Sequence, residues 1–106
     1  MSTVVDLMES RGIQFLGQEI QIPAGVEFWK VARKELSDLW ERVPDDGSVK
    51  LCLKRDGKDF RIDLGVVSSA IAIAESDVAK SPFVAFERAL TKVYHTLNIW
   101  KLGRKF

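Results

Sequence analysis

Cysteine and histidine are almost missing from this chain: Cys52 and His95 are the single copies among 106 residues. A lone cysteine makes no internal disulfide and no zinc site by itself. A lone histidine rules out a metal cluster built on imidazoles. Cys52 reads as a small, partly buried strand residue and His95 as a helix-surface residue, in preference to a nucleophile–base pair. No GxxxxGK[ST] or GxGxxG loop occurs to cradle a phosphate. An apolar run of about 18 residues, which a membrane span needs, is also missing. The first residues show no basic stretch followed by an apolar one, so no secretory signal is expected. These absences together predict a cytoplasmic protein that is not an enzyme and holds no metal or cofactor.

A charge surplus is missing too, with a formal net charge of +1. The distribution is uneven, however. Residues 1–47 hold 5 Lys/Arg against 9 Asp/Glu, and residues 48–106 hold 11 against 6. From Lys80 onward there are 6 basic residues and one acid, Glu87. A local excess of this kind acts on a partner even when the total is near neutral.

What the chain does contain is enough apolar material for one domain. Hydrophobic residues make up 46% and charged ones 29%, close to globular averages, and a chain of this size buries roughly 65% of its unfolded surface. Residues 1–12 read as an N-terminal extension, a short helix or tail, ahead of a domain over 13–106. Ile13 to Ile22 predicts a first strand with a bulge or bend at Gly17, where the apolar parity changes. Pro23 suits the first position of a helix over Ala24 to Arg42, whose apolar face carries Phe28, Trp29, Ala32, Leu36, Leu39 and Trp40. Pro44-Asp45-Asp46-Gly47-Ser48 supplies turn chemistry.

Strict alternation then marks two strands. Val49, Leu51 and Leu53 share one face of the first, and Phe60, Ile62, Leu64 and Val66 one face of the second. Asp56-Gly57 between them is a two-residue hairpin signal. Ser68-Ser69 marks another turn, Ala70 to Ala74 a further strand with Ile71 and Ile73 inward, and Glu75 to Lys80 a polar connector. Ser81-Pro82 opens the last helix as N-cap and first position. Its apolar stripe is Phe83, Phe86, Leu90, Val93, Leu97 and Trp100. The expected fold is α+β in the order β-α-β-β-β-α, a four-stranded sheet with two helices packed on one face.

Binding surfaces are the chemistry left. Lys30, Arg33 and Lys34 lie off the apolar face of the first helix. Arg88, Lys92 and His95 do the same on the second, followed by Lys101, Arg104 and Lys105. Side by side on the sheet, the two helices are expected to join these into one cationic ridge, suited to the phosphates of structured RNA. Trp29, Trp40 and Trp100 fit their apolar stripes and are read as core, not as platforms for stacking bases. The helix-free sheet face, with Lys50, Lys54 and Arg61 beside Cys52 and Asp63, is read as solvated.

The segments IQFLGQEIQIPAGVEFWKVARKELSDLW, VKLCLKRDGKDFRIDLGVV, AIAIAES and SPFVAFERALTKVYHTLNIWKLGRK, in this order, resemble the short ribosome hibernation promoting factors, or sigma-54 modulation (ribosome-associated inhibitor) family. Phe83 stands where that family has a tyrosine, and Ala85, Glu87, Lys92, Lys101, Arg104 and Lys105 match its alanine, acid and basic positions. Ser81 replaces an aspartate, and Asn98 and Trp100 fall in a stretch that is more basic in the family. The resemblance implies a domain like double-stranded-RNA-binding folds. It also implies binding to the small ribosomal subunit and its rRNA near the decoding centre, with translation blocked or idle ribosomes protected. The long forms' C-terminal dimerisation domain is not expected here, which makes a monomer off the ribosome the expectation. The competing expectation is a protein-interaction module that keeps the fold and takes a protein partner.

Overall fold

The structure, a computed structural model, describes residues 12–43 and 46–103. The expected extension therefore lies outside the described residues except for Gly12, as do Pro44-Asp45 and the basic residues Arg104 and Lys105. The elements are β1 (Ile13–Leu16), α1 (Gly25–Trp40), β2 (Ser48–Asp56), β3 (Asp59–Val67), β4 (Ala72–Ala79) and α2 (Pro82–Gly103). One sheet holds all four strands in the order β1-β2-β3-β4. β1 runs parallel to β2, with α1 as the crossover, and the other two pairings are antiparallel. This is the α+β architecture expected from the alternating strands and striped helices.

Alternation explains the layering. Ile13 and Phe15, then Val49, Leu51 and Leu53, then Phe60, Ile62, Leu64 and Val66 are buried, while their neighbours are exposed or half-buried. In a strand, alternate residues point to opposite faces, so one face of the sheet is apolar and needs a cover. α1 supplies Phe28, Ala32, Leu36 and Leu39 above β1 and β2; α2 lies over β3 and β4. The α2 stripe is buried at Phe86, Leu90, Val93 and Leu97, with Phe83 and Trp100 half-buried at its ends. Among the described residues no polar or charged side chain is fully buried.

Four local expectations need correction. β1 stops at Leu16, six residues short of Ile22. Gly17 has φ +89° and its carbonyl accepts a turn hydrogen bond from the Ile20 N–H at 3.1 Å, so the chain leaves the sheet there. Ile20 and Ile22 reach the core from the loop instead. Pro23 is not the first helical residue, because Ala24 adopts φ +54° and α1 begins at Gly25. The hairpin turn is Gly57-Lys58, one residue later than expected, with Asp56 paired to Asp59. Only Gly57 there has a positive φ (+61°), the pattern of a type II′ turn.

The fourth correction shapes the site. Residues 75–79 are not a connector but most of β4, paired with β3 from Val67↔Ala72 to Phe60↔Ala79. Ala70 and Ile71 belong to the preceding turn, where the Ser68 N–H donates to the Ile71 carbonyl and the Ser68 hydroxyl accepts from the Ala70 and Ile71 N–H groups. Edge strands carry polar inward residues that would be unfavourable in a central strand, and Asp77 is such a residue. Its side chain shares the helix-side parity of Ile73, which hid the strand from an apolar pattern.

Candidate functional site

The helix-borne cations were expected to meet in one ridge; Arg88 and Lys92 turn to β4, and the groove between the helices carries more acids than bases. On α1, Lys30 and Lys34 are exposed and Arg33 is half-buried beside Gln18 and Gln21 of the loop after β1. Lys34 pairs with Asp38 one turn on, at 3.7 Å. On α2, Arg88 and Lys92 face β4: the Arg88 guanidinium lies 3.8 Å from Asp77 Oδ1 and Lys92 Nζ 3.1 Å from Asp77 Oδ2. Lys92 Nζ also donates to the Ser76 carbonyl at 2.9 Å. His95 is exposed, and Lys101 is half-buried in the last turn, where a cation suits the negative end of the helix dipole.

Helical geometry accounts for this arrangement. Arg88 and Lys92 are one turn apart on one flank of α2, and Tyr94 and Asn98 one turn apart on the other. The second flank faces α1. The groove between the helices is lined by Glu35, Asp38, Glu41, Arg42, Tyr94 and Asn98, so acids outnumber bases there. Arg42 is spent on the Tyr94 ring, its guanidinium carbon 5.3 Å from the centroid, a cation–π distance. Asn98 thus lines an acidic groove, and Trp100 packs against the core; both departures from a basic run have structural places.

Tyr94 titrates above the ordinary tyrosine value, because burial disfavours the phenolate; Arg42 opposes that rise, while Glu35 and Asp38 add to it. Tyr94 is the sole tyrosine, so the absorbance change of phenol ionisation reports on it alone. That change should come at higher pH than in the urea-unfolded chain. The sign of the linkage follows: stability from the neutral phenol is complete below the unfolded value near 10 and falls as pH rises through the folded one. Coincident titration curves would show that the groove does not bury the ring.

On the helix-free face, the register sets Lys50 beside Gly65 and Ala74, and Lys54 beside Arg61. Asp63 pairs with both Arg61 (3.0 Å) and Lys54 (3.6 Å). Small side chains there leave a shallow depression of about 640 Å³. Cys52 opens onto this face, whereas His95 is exposed on α2 across the sheet. The sheet separates them, which removes the nucleophile–base pairing. Among the described residues no three His, Cys, Asp or Glu side chains group as metal ligands, and no helix is long and apolar enough to cross a membrane. Trp29 and Trp40 are half-buried against the core as expected, the first edge-on to Phe15 and Phe28 and the second donating to the Gly47 carbonyl at 3.2 Å.

The residue that sequence reasoning missed is Asp77. Its carboxyl is held below the usual carboxylate range, first by the Lys92 hydrogen bond and then by the charges of Lys92 and Arg88, against the opposing effect of desolvation. Extending the parity of Ile73 by four residues would have placed it under α2.

Neither a protein-family model nor a curated protein matches the chain by sequence. Solved structures do match in fold. A crystal structure of the Thermus thermophilus Protein Y N-terminal domain superposes with a TM-score of 0.62 at 17% identity, covering 79% of this chain and 91% of that one. A ribosomal subunit interface protein from Coxiella burnetii superposes with a TM-score of 0.66 at 17% identity, covering 85% and 97%. The chain therefore shares their fold over nearly the whole of each neighbour.

Proposed function

We propose that this protein associates with the ribosome, binding the RNA of the small subunit through its helix-borne cations and thereby inhibiting translation or protecting idle ribosomes. The observation that carries the reading is the fold match to a ribosomal subunit interface protein over 97% of that chain. Lys30, Arg33, Lys34, Arg88, Lys92, His95 and Lys101 are the described residues offered to phosphate, with Arg104 and Lys105 as further candidates outside them. The interaction is electrostatic positioning on a folded RNA and involves no bond chemistry. We further propose that the protein is cytoplasmic and a monomer when off the ribosome.

Charge reversal to glutamate at Arg88, Lys92 and Lys101 should abolish co-sedimentation with purified small subunits at near-physiological salt. Neutralising the same three to glutamine should weaken binding tenfold or more and reduce the salt dependence by about two to three units of log–log slope. Circular dichroism should show the fold intact. Unchanged sedimentation of the reversed variant overturns the reading.

One observation favours a second reading, a protein-interaction module. The groove between the helices is acidic where a ribosome binder would gain from cations, and Arg88 and Lys92 are already engaged. Recovery of one protein partner without rRNA would support that alternative.

A further inference from the structure

Arg88 and Lys92 converge on a single carboxylate that comes from a different element. Asp77 is fixed in β4 with its side chain 15% exposed, while Arg88 and Lys92 are 60% and 47% exposed on α2. Each carboxylate oxygen faces one cation, and the Ser76 carbonyl takes a further hydrogen bond from Lys92. Two cationic donors facing two anionic oxygens is also the arrangement by which such donors hold a phosphate.

We infer that Asp77 is an intramolecular competitor, a carboxylate that occupies the Arg88–Lys92 phosphate site until a phosphodiester displaces it. The inference rests on the proposed role of these two cations toward RNA. Because the competitor belongs to the same chain, it is present at high effective concentration. A solitary phosphate gains too little from two half-engaged cations to displace it. A folded RNA, which brings many phosphates and contacts the other helix cations at once, gains enough. Asp77 thus shifts preference toward dense polyanions and away from small phosphate compounds.

The experiment measures binding of a labelled 20-base-pair RNA hairpin by fluorescence anisotropy between 50 and 200 mM salt. The purified full chain is compared with Asp77→Asn, Asp77→Ser, Arg88→Gln/Lys92→Gln, and that double variant carrying Asp77→Asn. Asp56→Asn, at the exposed hairpin end, controls for the unit change in net charge. Asp77→Asn should bind about two- to fivefold more tightly than wild type, the span expected for releasing exposed ion pairs. Its salt slope should steepen by about one, since cations no longer neutralised internally release more counterions. Asp77→Ser should gain likewise, and inorganic phosphate should compete better against both than against wild type. The gain should vanish in the Arg88→Gln/Lys92→Gln background. A gain no larger than that of Asp56→Asn, weaker binding by both Asp77 variants, a gain that survives loss of the two cations, or no hairpin binding by any variant overturns the inference. Failure of the ribosomal reading shows separately, as wild-type protein that binds the hairpin but does not sediment with small subunits.

Discussion

Replacing Gly17 with alanine should destabilise the domain by about 3 kcal/mol or more, a large part of a typical stability of about 5–15 kcal/mol. Two effects add. At φ +89° a side chain is strained wherever it sits. An added Cβ would also overlap the Leu53 carbonyl oxygen and come within 3.0 Å of the Leu53 carbonyl carbon, both backbone atoms of a central strand that cannot rotate away. The overlap is relieved only by moving the chain off β2, which disturbs the β1–β2 pairing. Gly57→Ala is the matched control: φ is +61° but nothing lies within 4 Å of the added Cβ, so conformational strain alone applies, about 1–2 kcal/mol. Urea denaturation of both variants checks the difference. Equal midpoints would mean that the Leu53 contact is not what requires glycine at position 17.

Phe28→Ala should cost a similar amount, about 3–5 kcal/mol. Phe28 is fully buried, and its ring meets Trp29, Phe83 and Phe86 edge-on at centroid distances of 5.0, 5.4 and 5.9 Å. Trp29 in turn meets Phe15 of β1. The ring therefore joins α1, α2 and, through Trp29, the first strand. Its loss leaves a cavity between the two helices, next to the first strand, and the dense packing around it limits collapse. Val26→Ala, on the same helix but 80% exposed, should change stability by less than about 0.5 kcal/mol. Comparable thermal shifts for the two would contradict the packing described.

The strongly patterned parts of the fold were legible from the residues alone. β2 alternates strictly over Val49 to Leu53 and β3 over Phe60 to Val66, and the two helical stripes match the buried faces closely. Where the reading failed, local chemistry competed with pattern. Gly17 was read as a bend inside a strand, yet its need for positive φ and its closeness to Leu53 end the strand there. Residues 75–79 lack an apolar alternation because their inward positions include Asp77, whose charge is answered from α2; only tertiary contact supplies that partner. The candidate site was legible as a set of cations but not as a surface. Helical spacing alone cannot tell which flank of α2 faces α1, so the acidic groove at Glu35, Asp38 and Glu41 and the turning of Arg88 and Lys92 toward β4 were hidden.

That arrangement bears on how RNA would be met. Lys30, Lys34 and His95 are exposed on the helix layer, while Arg88 and Lys92 sit at its β4 margin. On the proposed reading, the RNA-binding surface is broad and interrupted, which suits a partner whose phosphates are fixed in space better than a flexible strand.

The most direct test is sucrose-gradient sedimentation of the tagged protein from starved cells, with and without nuclease. The protein should travel with small-subunit-containing particles and return to the top of the gradient after nuclease treatment. Protein that stays at the top without nuclease, recovered with a protein partner and no rRNA, would contradict the ribosomal reading.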